Sequence, residues 1–88
     1  MFQLIVAPRA VKSSRRMPSH YKKRIAEVID VLSKNPIPSE LYDIKKLGGR
    51  EDSYRIRIGD IRVSYTVMWN IKEVHVSEIE WRGSAYRR

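Results

Sequence analysis

The chain has 88 residues, with 18 Lys and Arg against 10 Asp and Glu, a net charge of +8, and 42% hydrophobic residues. That length is a single domain, residues 1–88, and the composition is globular rather than that of a disordered tail. The absence of cysteine excludes a disulfide framework, a thiolate zinc site and a Cys nucleophile. The longest apolar run, Leu4-Ile5-Val6-Ala7, is far shorter than a membrane span, and no signal-peptide pattern precedes it; a soluble cytoplasmic protein with no membrane attachment is expected.

In chain order, Phe2 to Ala7 reads as a first strand, stopped by Pro8. Pro8 to Met17 reads as a short basic helix that Pro18 ends, with Ser19 as the N-cap of the next. That second helix is the strongest signal. Tyr21, Ile25, Val28, Ile29 and Leu32 form one apolar stripe at a period of about 3.6, with Lys22, Lys23, Glu27, Asp30 and Lys34 outside it. Asn35-Pro36-Ile37-Pro38 closes the helix, because a residue before proline avoids the helical region. A connection through Leu41, Tyr42, Ile44 and Leu47 leads to a turn at Gly48-Gly49. Tyr54 to Ile58 then alternates as a strand, Gly59-Asp60 supplies a hairpin turn, and Ile61 to Met68 alternates again. After a turn near Asn70, Val74 to Trp81 forms a last strand whose parity slips, so that a bulge near Ser77-Glu78 is needed to bring Ile79 and Trp81 inward. The fold class is α+β, in the order β-α-α-β-β-β. It is an antiparallel sheet with a two-helix hairpin packed on one face.

The other face of that sheet carries the functional signal. With Tyr54, Ile56 and Ile58 inward, Arg55 and Arg57 point away from the helices; with Ile61, Val63, Tyr65 and Val67 inward, so does Arg62. Arg82 follows at the end of the last strand, and Tyr86, Arg87 and Arg88 lie beyond it. Like charges packed side by side on a sheet repel, and no carboxylate is interleaved in these strand segments, so an external anion is expected to neutralise them. Eleven of the cations are arginines, whose forked guanidinium binds phosphate oxygens bidentately, which points to nucleic acid. Phosphate-binding glycine loops, zinc-protease motifs and nucleophile elbows are all absent from the sequence. His20 and His75 are separated and are given structural roles, and no metal or other cofactor is expected.

The segment Tyr54-Arg55-Ile56-Arg57-Ile58-Gly59-Asp60-Ile61-Arg62-Val63-Ser64-Tyr65 resembles the RelE/ParE toxin superfamily, in which a tyrosine-led strand with basic residues two apart meets a glycine turn and an Arg-bearing second strand. Leu47 followed by glycine, and the closing Arg82-Gly83-Ser84-Ala85-Tyr86, extend the likeness over essentially the whole chain. The chain is most similar to the RelE branch, and within it to archaeal members.

The resemblance implies the toxin of a type II toxin–antitoxin system. Such a toxin is a ribosome-dependent endoribonuclease (mRNA interferase) that cleaves mRNA in the A site by attack of a 2′-hydroxyl, and a cognate acidic antitoxin silences it as a hetero-oligomer. Carried over by residue, the catalytic set is Arg57, Arg62, Arg82 and Tyr86, and Arg55 and Arg57 bind RNA; Arg87 and Arg88 of the tail are expected to join the RNA-binding set, and no metal is expected. In these roles Arg62 and Arg82 stabilise the phosphorane, Arg55 and Arg57 position the backbone, and Tyr86 acts as an acid–base or stacking group. One departure matters: well-known bacterial relatives have lysines at the paired positions, and the arginines here cannot serve as general bases. A ParE-like gyrase inhibitor and a non-catalytic RNA- or ribosome-binding module are the alternatives. The Arg55/Arg57 pair and the Arg82…Tyr86 ending argue against the ParE branch.

Overall fold

The apolar stripe of the second helix decides how the two layers meet. In a computed structural model, which describes residues 1–49 and 52–82, Ile25, Val28 and Leu32 are buried against the sheet, while Tyr21 and Ile29 pack at the margin. The elements are β1 (Gln3–Val6), α1 (Pro8–Arg15), α2 (Ser19–Lys34), β2 (Asp43–Lys46), β3 (Ser53–Ile58), β4 (Ile61–Met68) and β5 (Glu73–Trp81). None of the described helices is long and apolar enough to cross a membrane.

Proline chemistry sets the helix ends. Pro8 opens α1 at a position where its missing N–H costs nothing, and the carbonyl of Ala7 accepts the N–H groups of Ala10 and Val11 at 2.9 and 3.1 Å. The helix stops at Arg15, two residues before the expected end, and Met17 is buried from the segment that follows. Ser19 is not the N-cap of α2. Pro18 holds that position in an extended conformation, its carbonyl accepting from Tyr21 and Lys22, and the Ser19 side chain makes no capping bond. At the far end Asn35 is extended (φ −146°, ψ 106°), as the following Pro36 demands.

The strand order is β1-β5-β4-β3-β2. The hairpins β3–β4 and β4–β5 are antiparallel as their short turns require. Gly59 takes φ +57°, and Asp60 is not in the positive region, the pattern of a type II′ turn that favours glycine first. The bulge falls at Ser77. Ser64 pairs with Glu78 and Tyr65 with Val76, leaving Ser77 unopposed, so Ile79 returns to the core and Trp81 packs against Tyr21 at a ring distance of 5.8 Å.

Two features add to the expected sheet. β1 joins the edge of β5 in parallel, Leu4 opposite Val74, which the long helical crossover permits and a hairpin could not. The connection after α2 contains a further strand, β2, antiparallel to β3, with Ile44 opposite Ile56. The sheet is therefore mixed and five-stranded. Its helix-facing side supplies Ile56, Ile61, Val63, Tyr65, Val67, Val74, Val76 and Ile79 to one core with Ala10, Ile25, Val28 and Leu32.

Candidate functional site

The alternation that buries Ile56, Ile58, Ile61 and Val63 sends Arg55, Arg57 and Arg62 to the side of the sheet away from the helices. Across the strands they fall into rows. One row runs Asp43, Arg57, Arg62, Glu80 through β2, β3, β4 and β5, and the next runs Lys45, Arg55, Ser64, Glu78. Facing side chains in such rows lie about 4.5–5.5 Å apart at Cβ, close enough for their charges to act on one another.

The expectation of arginines without interleaved carboxylates is thus overturned. Asp43 and Glu80 bracket the Arg57–Arg62 pair, and the Asp43 carboxylate lies 3.9 Å from Nε of Arg57, with both side chains about two-thirds exposed or more (71% and 65%). An ion pair that open to water contributes little to stability. Asp43 comes from the edge strand β2, whose four residues carry a single inward apolar side chain, Ile44, and so leave little trace in the sequence.

Small polar residues lie beside the arginines. Ser64 is buried, its hydroxyl accepting from Nε of Arg55 at 3.4 Å and its carbonyl accepting from the hydroxyl of Ser77 at 3.3 Å. Ser53 and Thr66 share a 2.8 Å hydrogen bond. Two hollows adjoin among the arginines. The first, about 190 Å³, is lined by Asp43, Lys45, Arg55, Arg57 and Arg62. The second, about 130 Å³, is lined by Arg57, Gly59, Asp60, Arg62 and Arg82. Arg57 and Arg62 belong to both. Arg82 is brought to the hairpin turn by its backbone N–H, which donates to the carbonyl of Asp60 at 2.8 Å.

The structure therefore brings together Arg55, Arg57, Arg62 and Arg82. Tyr86, Arg87 and Arg88 lie outside the described residues. His75 is held away from the hollows beside Glu73, 2.8 Å from its carboxylate, and His20 stacks on Tyr21 at 4.3 Å. Among the described residues no group of three or more His, Asp or Glu is placed to hold a metal ion. A third and larger hollow, about 290 Å³, lies beside α1 and β5 with Arg9, Arg16, Glu78, Glu80 and Trp81 in its lining.

A second basic surface lies on the helices. Residues 1–26 contain Arg9, Lys12, Arg15, Arg16, Lys22, Lys23 and Arg24 and no Asp or Glu, and all seven side chains are exposed. The remaining residues carry 11 cations and 10 carboxylates, so nearly all of the net charge sits in residues 1–26. Cumulative charge along the sequence is the signal that reveals it.

Toxin RelE1 of Methanocaldococcus jannaschii is 37% identical over 86 residues, 98% of this chain and 96% of that protein. The chain belongs to the RelE family of toxins. The RelE–RelB complex of Pyrococcus horikoshii contains a fold match with TM-score 0.84, at 33% identity over 93% of this chain and 96% of the other. The RelB–RelE complex of Methanococcus jannaschii gives TM-score 0.77 at 28% identity, covering 93% and 94%. No protein-family model matches the chain. In this RelE-family chain the helix pair covers one side of the five-stranded sheet and the arginine rows occupy the other.

Proposed function

We propose that this RelE-family toxin is a ribosome-dependent endoribonuclease that cuts mRNA by attack of a 2′-hydroxyl on the adjacent phosphate. The observation that carries the reading is the pair of adjoining hollows sharing Arg57 and Arg62, with Arg82 at the rim of the second. At about 130 Å³ the second hollow is several times the roughly 30 Å³ share of one water, room for a phosphodiester group.

The chemistry follows from the residue types. In-line attack builds negative charge on the non-bridging oxygens of a phosphorane, and guanidinium groups placed against those oxygens stabilise that charge more than the ground state. Arg62 and Arg82 take this role. Arg55 and Arg57 hold the neighbouring phosphates, and Tyr86, carried over from the family pattern, stacks on a base or handles a proton. The seven cations of residues 1–26 serve a different purpose: sequence-independent attraction to RNA phosphates, which brings the protein to the ribosome.

An antitoxin completes the reading. The Pyrococcus horikoshii and Methanococcus jannaschii counterparts are seen as complexes with RelB. A domain of net charge +8 suits an acidic segment that orders on binding and covers basic surface.

Purified protein added to ribosomes programmed with a defined mRNA, with the mRNA ends mapped, tests the activity. Cleavage on ribosomes and none of free mRNA is the expected result. Intact mRNA combined with inhibited gyrase supercoiling points to the ParE alternative, and intact mRNA with ribosome binding alone to a non-catalytic module.

A further inference from the structure

Cleavage by a 2′-hydroxyl needs something to take that proton, and the arginines cannot. Arginine is a donor only, and it stays charged throughout the working range of an enzyme. Among the described residues lining the two hollows, only Asp43 and Asp60 carry a side-chain acceptor that is negatively charged as a carboxylate. Asp60 sits in the hairpin turn, where its own carbonyl receives the N–H of Arg82. Glu80, at the other end of the first row, lines neither arginine hollow and borders instead the one beside α1. Asp43 stands in the larger arginine hollow, 3.9 Å from Arg57.

We propose that Asp43 is the general base of the cleavage step, taking the 2′-hydroxyl proton of the nucleotide whose phosphate meets Arg62, the arginine that with Arg57 borders both hollows. This rests on the reading of the chain as an RNA-cleaving toxin. The proton leaves the 2′-oxygen for a carboxylate oxygen of Asp43 while the 2′-oxygen forms its bond to phosphorus. The bond from phosphorus to the 5′-oxygen breaks, and its electron pair stays on that oxygen, which takes a proton from water or from an acid of the toxin. The products are a 2′,3′-cyclic phosphate and a 5′-hydroxyl, and Asp43 returns its proton to solvent. The charged groups around Asp43 are Lys45 on its own strand, Arg55 and Arg57 on β3, and Arg62 on β4. Arg57 thereby has two tasks, orienting the base and holding a neighbouring phosphate.

Single-turnover cleavage on programmed ribosomes across a pH series, with ribosome affinity measured separately, tests this. Asp43→Asn keeps an acceptor for Arg57 and removes the basicity together with one negative charge. It is expected to slow cleavage by roughly 10²–10⁴, to leave affinity undiminished, and to lose the acid limb of the pH–rate profile. Asp43→Glu is expected to restore that limb. Parental rates in Asp43→Asn, an acid limb that persists in it, or a comparable loss confined to Asp60→Asn would each overturn the assignment. No cleavage by the unsubstituted protein would overturn the underlying reading, and the assignment with it, before any variant is compared.

Discussion

The phenol of Tyr65 donates a 2.8 Å hydrogen bond to the carbonyl of Pro36, joining the centre of β4 to the turn that ends α2. Both residues are buried, so neither group has water as an alternative partner. Tyr65→Phe strands the Pro36 carbonyl and should lower stability by about 1–3 kcal/mol. For a domain of this size, each 1 kcal/mol shifts the melting temperature by roughly 4–8 °C. Thermal unfolding of the two proteins at neutral pH measures the difference.

Burial pushes the Tyr65 phenol well above its ordinary value of 10.0, and the neighbouring Tyr54 adds to the rise. The folded state therefore keeps this proton at a pH where the unfolded chain has lost it. The resulting stability is complete below about pH 10 and drains away as pH climbs toward the higher folded value, at up to about 1.4 kcal/mol per pH unit. Tyr65→Phe should be flatter than the parent over that alkaline range. Denaturant titrations at several pH values above 9 and below 12 give the slope, and equal slopes in both proteins count against a phenol held neutral by burial.

Arg62→Ala and Arg82→Ala each remove a guanidinium from the rim of the second hollow. If these groups stabilise charge that exists only in the transition state, the cleavage rate should fall on the order of 10²–10³ with ribosome affinity little changed. Weak binding with normal cleavage at saturation would make them anchors instead.

Tyr86→Phe separates two roles of the closing tyrosine. A proton carrier should lose roughly 10²–10⁴ in rate, whereas a ring that only stacks on a base should keep most of its activity. The same single-turnover measurement distinguishes them.

Replacing Lys12, Arg15, Lys22 and Lys23 by glutamine strips four of the seven exposed cations in residues 1–26. Affinity for ribosomes should fall and its salt dependence should become shallower, by roughly one unit of slope for each phosphate no longer neutralised. Saturated cleavage should be preserved, because the sheet face is untouched. A lower saturated rate at unchanged affinity would place these residues in the chemistry.

The residues that specify their neighbours locally were legible in the sequence. The stripe from Tyr21 to Leu32 announced α2. The alternation around Gly59-Asp60 announced the hairpin and the outward turn of Arg55, Arg57 and Arg62, and the slipped parity between Val76 and Ile79 announced the bulge at Ser77. The capping at Pro18 was not legible, because a serine one residue later satisfies the usual preference just as well. Nor was β2, since Asp43-Ile44-Lys45-Lys46 is too short for a period and becomes a strand only by borrowing the edge of β3. The site suffered from the same gap. Without β2 in view, the carboxylate opposite Arg57 could not be counted, and the face read as purely cationic.

The parallel pairing of β1 with β5 has a consequence in time. Gln3–Val6 leave a ribosome long before their partners, Glu73–Val76. β5 also lies between β1 and β4, so until it emerges the first strand has no sheet partner and β4 has an open edge. Contacts this distant in sequence form late and slow folding. A protein proposed to attack translating ribosomes thus cannot close its own sheet until β5 has been made.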